Sequence, residues 1–180
     1  MVFTKIIKQH LLIFLHAEKI FFYYYATFAL MHFDTFAFMN SALAVRVVDT
    51  MYNNDPFSQW LGIERLTVEA GKCVLRMKVR KEMLNGFNIA HGGICYSLAD
   101  SALAFASNSH GKKSVSVETS ISLTEQVKEN DLLTATAEEI SLTNKIGIYY
   151  VTITNQEDRK VGFFKGTVYR TTKDWFPENK

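Results

Sequence analysis

From residue 62 to residue 170 the apolar positions recur mostly every second residue, and one long stretch breaks that period. Gly62 to Glu69 reads as a strand and Ala70-Gly71 as a turn. Cys73, Leu75, Met77 and Val79 then alternate against Lys72, Arg76 and Lys78, which predicts an antiparallel hairpin with one wet face. Lys81 to Ile89 is a polar loop. Gly92 to about Ser109 is apolar on nearly every side and predicts the single long helix, closed by Gly111. Val115, Val117, Thr119, Ile121 and Leu123 next alternate with Ser114, Ser116, Glu118, Ser120 and Ser122, the clearest strand of the chain. Further strands are predicted at Leu132 to Ile140, Ile146 to Thr154 and Val161 to about Arg170. The four strands after the helix read as a meander.

Ahead of this pattern, residues 40–52 carry Leu43, Val47, Val48 and Met51 at near-helical spacing. Asn53-Asn54-Asp55-Pro56 stops that helix, because a proline disfavours helix in the residue before it. Phe57, Trp60 and Leu61 restart an apolar pattern that leads into the first strand. Residues 1–38 share no period with the rest. The apolar aromatic run at 20–31 is bounded by Glu18 and Lys19 on one side and His32 and Asp34 on the other, short of the about 20 residues a transmembrane helix needs. A secretory leader would have Leu11 to Leu15 as its apolar core, without a small-residue cleavage site. The favoured expectation is upstream sequence with the true start at Met39 or Met51, and a membrane anchor is the alternative. The domain is expected over 39–171, with 172–180 as a tail.

The bulk numbers narrow the function classes. The 180 residues fit one domain, and 48% of them are hydrophobic, enough for a real core. A net charge of +2 argues for neither nucleic acid nor an anionic membrane as partner. The two cysteines, Cys73 and Cys95, lie in apolar stretches without metal-ligand spacing and read as buried reduced thiols of a cytoplasmic protein. No dinucleotide fingerprint or ligand cluster appears, so no metal or redox cofactor is expected.

Chemistry concentrates where the period changes. Asn85-Gly86 lies in a polar loop, His91-Gly92-Gly93 opens the helix, and Asp100 is a lone acid among apolar residues. A helix start presents free N–H groups and a partial positive charge. A carboxylate in apolar surroundings is a candidate for a tuned pKa. Each feature also has a plain structural reading. Asp100 would suit an N-cap joining two short helices, His91 a loop hydrogen-bonder, Gly92-Gly93 close packing, and Asn85-Gly86 an ordinary turn. Ser116 falls on what looks like the polar face of its strand.

The order of elements is that of the α+β hotdog fold, an antiparallel sheet wrapped around one long central helix. Gln59-Trp60-Leu61-Gly62-Ile63, Met83-Leu84-Asn85-Gly86, His91-Gly92-Gly93, Leu98-Ala99-Asp100-Ser101-Ala102, Ala106-Ser107-Asn108-Ser109, Leu133-Thr134-Ala135-Thr136-Ala137 and Phe164-Lys165-Gly166 follow one another along residues 50–171. The set resembles hotdog acyl-CoA thioesterases of the phenylacetic-acid-degradation, or hydroxyphenylacetyl-CoA, type. That resemblance implies Asp100 as nucleophile or general base, Gly92 as the backbone donor that polarises the thioester carbonyl, and Asn85 as the loop amide. It implies Ser116 as a supporting residue; His91, which could donate to the carbonyl or shape the turn, is added as supporting on its chemistry. The resemblance implies coenzyme A as part of the substrate rather than a cofactor, and a homodimer at least, a homotetramer by preference. Hydrolysis of small aryl-acyl-CoA thioesters is the expected activity. Aliphatic acyl-CoA hydrolysis and a non-catalytic acyl-CoA-binding protein are the alternatives. A hydratase on the same fold is disfavoured, since Asp55-Pro56 lacks a nearby His.

Overall fold

The computed structural model describes residues 39–177. The expectations for residues 1–38 therefore lie outside the described residues. Helix α1 (39–53) sends Ala44, Val47 and Val48 into the core. A second, short helix follows where a continuous run into the strand was expected: α2 (Pro56–Leu61) is capped by the Asp55 carboxylate, which accepts from the N–H groups of Phe57 at 3.1 Å and Ser58 at 3.0 Å. Asp followed by Pro at the first helical position is a helix start, because proline gives up an N–H that would have had no partner there. This places Asp55 in a structural role.

The sheet contains β1 (Glu64–Glu69), β2 (Lys72–Lys78), β3 (Lys112–Leu123), β4 (Leu132–Leu142), β5 (Ile146–Thr154) and β6 (Lys160–Asp174). Helix α3 (Gly92–Asn108) packs against every one of them. Inward alternation is clean in the central strands. Leu75 and Met77 of β2, Leu133 and Ala135 of β4, Tyr149 and Val151 of β5, and Phe164 and Val168 of β6 are all buried under α3. This is the α+β architecture of a sheet wrapped around a central helix that the pattern predicts. No helix of the described residues is long and apolar enough to cross a membrane.

The strand order corrects the expected meander. It is β1-β2-β4-β5-β6-β3, with every pairing antiparallel. Strands β4, β5 and β6 form a meander of three. Strand β3 lies beyond β6 at the far edge, and β4 joins the β1-β2 hairpin. The reason is residues 124–131, which are too many for a tight hairpin. That segment crosses the start of α3 and buries Val127, whose carbonyl accepts from Ala90 N–H at 2.8 Å. Strand β6 also runs on to Asp174, past the expected edge of the domain at 171.

A second correction concerns the faces of β3. The register shifts between Ser116 and Glu118, opposite the adjacent pair Val168 and Thr167, so Val117 is an extra residue. Such a bulge exchanges the faces of the strand on its two sides. Ser114 and Ser116 face α3 on one side of it, with Ser116 opposite the buried Val168. Beyond it Thr119 faces α3 and its hydroxyl bonds Tyr96. Val115 and Val117 are left 56% and 59% exposed along a free sheet edge.

Helix and sheet are in tight contact at Gly166. A Cβ there would lie 2.9 Å from Leu103 Cδ1, and closer still to Cδ2, and Leu103 is itself fully buried. Gly166→Ala is therefore expected to destabilise the fold by about 1–3 kcal/mol through overpacking. A lowered urea midpoint with an unchanged slope would report it.

Candidate functional site

Helix α3 is uninterrupted from Gly92 to Asn108, which excludes the reading of Asp100 as a cap between two short helices. Most of the helix is buried, its C-terminal half above all. Gly93, Ser97, Asp100 and Ala104, spaced four, three and four residues apart, form a partly open stripe on one face, and Gly92, Ile94 and Tyr96 near the helix start are also only partly buried. Asp100 is half-buried on that stripe, and among the described residues its carboxylate has no hydrogen-bond partner. Burial pushes its carboxyl above the ordinary carboxylate range, because desolvation disfavours the charge.

The carboxylate opens into a cavity of about 370 Å³, whose walls include Met51, Leu103, Ser116, Val168 and Trp175. Ser116 reaches it because of the bulge at Val117. Asp100 and Ser116 are thus brought together in one chain.

The other three residues singled out in the sequence lie at the opposite end of α3. His91 is its N-cap, and Nδ1 accepts from Gly93 N–H at 3.0 Å. This bond makes Nδ1 the acceptor and leaves the proton of the neutral ring on Nε2. The loop before it is tied down on both sides, by His91 N–H to Met83 O at 2.9 Å and by Asn85 N–H to Ile89 O at 2.8 Å. The Gly92 N–H, at the first position of the helix, has no acceptor among the described residues. Asn85 uses its side-chain carbonyl to close a turn onto Phe87 N–H at 2.8 Å, which leaves its amide NH₂ free. Asn85, His91 and Gly92 do not line the cavity that holds Asp100 and Ser116. Gly92 and Asp100 are eight residues apart on one straight helix, about 12 Å along its axis.

Sequence reasoning missed the rest of the cavity. Its walls come from α1 at Met51, from β3 at Lys113, and from the segment after β6 at Trp175. These positions are far apart in the chain, and only the fold assembles them. Beneath them Asn108 is buried and fully used. Its NH₂ donates to Ala104 O at 2.9 Å and Ser114 O at 3.0 Å, and its carbonyl accepts from Ser114 N–H at 2.9 Å and Trp175 Nε1–H at 2.8 Å. A buried Asn just before a helix end was the one available signal.

Cys73 and Cys95 are both free and buried, their thiols pushed up by desolvation to about 12 and about 11. Neither is poised as a nucleophile. Among the described residues no three His, Cys, Asp or Glu side chains converge as a metal site requires.

Chemically, the middle of α3 offers a base and its N-terminus an oxyanion donor. A carboxylate with a raised pKa can take a proton from water or attack directly. A free N–H at a helix start, with no Cβ to shield it, can stabilise a developing negative oxygen.

Comparisons with known proteins agree with this chemistry. The thioesterase superfamily pattern matches residues 87–162. An Archaeoglobus fulgidus protein carrying an esterase name is 41% identical over 76% of this chain and 89% of its own. The Escherichia coli acyl-coenzyme A thioesterase PaaI is 38% identical over 67% of this chain and 86% of its own. The solved structure of E. coli PaaI, from the phenylacetic acid degradation operon, superposes with a TM-score of 0.73 over 74% of this chain and 97% of that one, at 35% identity. A Streptococcus pneumoniae thioesterase protein solved with coenzyme A is 29% identical, with a TM-score of 0.61 over 62% of this chain and 88% of that one.

Proposed function

The chain belongs to the thioesterase superfamily, and from that premise we propose that it hydrolyses acyl-CoA thioesters, (hydroxy)phenylacetyl-CoA foremost, at sites shared by two copies of the chain. The observation that carries this reading is the half-buried, unpartnered carboxylate of Asp100 in an apolar-walled cavity, on the same helix as the free N–H of Gly92. The curated relative named as an acyl-CoA thioesterase supports the substrate class, and the coenzyme A in the pneumococcal structure supports it further.

In the reaction, water attacks the thioester carbonyl carbon as Asp100 takes its proton. The carbonyl oxygen becomes negative against Gly92 N–H. The C–S bond then breaks, and the thiolate of coenzyme A leaves with the proton. Alternatively Asp100 attacks the carbonyl carbon first and the C–S bond breaks to release the thiolate; water then opens the resulting anhydride, regenerating the Asp100 carboxylate and giving the free acid, with the released proton going to the thiolate. Repeated turnover in ¹⁸O-water separates the two, since label enters the Asp100 carboxylate only on the second route, when water opens the anhydride at the Asp100 carbonyl. Asn85 supplies its free amide to hold the water or the carboxylate. Ser116 does the same from the cavity wall, and His91 fixes the helix start.

The base and the donor cannot serve one thioester within a single chain, because about 12 Å separates them along the helix. A two-fold pairing of α3 along its open stripe resolves this. Gly93, Ser97 and Ala104 are small enough for close helix approach, and the free edge of β3 lies beside them with Val115 and Val117 exposed. Antiparallel pairing sets Asp100 and Ser116 of one copy against Gly92 and Asn85 of the other, and a two-fold gives two such sites. Exposed Tyr150 and Phe163 on the outer sheet face support a further pairing into a tetramer. A cytoplasmic location belongs to the same proposal.

The test is a panel of acyl-CoA substrates assayed for free thiol. Phenylacetyl-CoA and its hydroxylated forms should be cleaved fastest. Tight binding of acyl-CoA without thiol release would leave a binding protein instead.

A further inference from the structure

The cavity that begins at Asp100 ends at residues that the superfamily pattern does not reach. That pattern covers 87–162, whereas Met51 and Trp175 stand outside it on either side. Trp175 is partly buried and held through both of its N–H groups. Its backbone N–H donates to Gly111 O at 2.9 Å, and its indole N–H donates to Asn108 Oδ1 at 2.8 Å. The Lys113 ammonium lies 5.0 Å from its ring centroid. Phe176 beside it carries the Arg46 guanidinium at 3.7 Å. Asn108, the residue that grips the indole, has spent both donors and both acceptor sites and cannot swing away.

We propose that Trp175 is the end wall of the acyl-binding cavity and, with Met51 as its side wall, sets the length of acyl group that this chain accepts; this rests on the thioesterase reading above. The carboxylate and the wall are separated by the eight residues from Asp100 to Asn108, about 12 Å of helix. At about 370 Å³ the cavity is near the small end of ligand pockets, sized for an acyl group rather than a whole nucleotide thioester. Its lining is apolar at Met51, Leu103, Val115, Val168 and Trp175. Among the described residues its one cation, Lys113, is stacked on the indole, which disfavours phosphate as the occupant. An aryl-acetyl group fills this space, and a long alkyl chain runs into the indole.

The experiment compares kcat/KM for phenylacetyl-, hexanoyl- and dodecanoyl-CoA in the full chain and in Trp175→Ala, Trp175→Phe and Met51→Ala. Trp175→Ala should raise the dodecanoyl-to-phenylacetyl ratio at least about tenfold, within the range that hydrophobic-pocket changes give. Trp175→Phe keeps the wall while losing the Asn108 bond, and should keep the wild-type ratio. Met51→Ala should move the ratio the same way as Trp175→Ala, and it carries the test alone if Trp175→Ala fails to fold. Folded variants with an unchanged ratio overturn the proposal. So does a uniform rise in KM for all three substrates, which would put the pantetheine arm in the cavity. A wild-type chain that cleaves none of them overturns the thioesterase reading, and this inference with it.

Discussion

Asp100→Asn is expected to lower kcat by at least about 10²-fold, the lower end of what general acid–base catalysis contributes. The swap keeps the size of the side chain and its place on the open stripe of α3, but a neutral amide neither accepts the proton of water nor attacks a thioester. The fold should survive, and the sign of the stability change can be worked out. Burial raises the folded pKa of Asp100 above its unfolded value. The folded state therefore binds more protons than the unfolded one between those two pKa values. Stability falls as pH rises through that window, and at neutral pH the ionised carboxylate is a cost to the fold. Asp100→Asn removes that cost. Melting curves of the two proteins should lie close together in acid, with the variant gaining relative to wild type as pH rises above the ordinary Asp range. The acid limb of the wild-type pH–rate profile should sit above that range for the same reason. Near-normal turnover in the variant would remove Asp100 from the chemistry and assign the activation of water to another group.

Much of this site can be read from the chain, because its parts are contiguous. His91, Gly92 and Asp100 share one apolar helix, and that helix is marked by the break in the period-two pattern on either side. The strands announce themselves wherever alternation is strict, as in β2 and β5. What does not show is how strands are ordered in the sheet. Period-two alternation says which face a residue takes and nothing about its neighbour, so β3 and β4 looked adjacent although the whole width of β5 and β6 lies between them. The bulge at Val117 is equally silent. One extra residue, with an ordinary β-former at the position, moves Ser116 from the apparent solvent face to the cavity. The ambiguity at Asp100 was real in sequence, since Ala-Asp-Ser-Ala suits a cap as well as a helix interior. Only the unbroken course of α3 resolves it. Trp175 looked like the start of a tail because strand pattern fades before it. Its partners, Asn108 and Lys113, are more than sixty residues away in the chain.

The second large effect concerns Gly92. Gly92→Pro removes the one N–H that the mechanism assigns to the oxyanion, and the fold is prepared for it. Proline suits the first position of a helix. His91 before it already has φ −60° and ψ 134°, the extended backbone that a residue preceding proline requires. Among the described residues an added Cβ would meet only the tip of Leu123, at 3.0 Å, and Leu123 is partly exposed and free to shift. Losing one oxyanion donor costs about 2.7–4 kcal/mol of barrier, or roughly 10²–10³ in kcat. Each single variant alone should therefore be nearly inactive.

Mixing the two variants tests the shared site directly. Gly92→Pro chains retain Asp100, and Asp100→Asn chains retain Gly92. The measurement is thiol release from phenylacetyl-CoA after the two proteins are co-refolded in equal amounts, with hybrids verified by differential tags. If each site takes Gly92 from one copy and Asp100 from the other, every hybrid dimer holds one intact site of two. A random mixture then recovers about a quarter of wild-type activity. If both groups act within one chain, no hybrid contains an intact site. Activity that stays at the level of the parents, with hybrids present, would contradict the account.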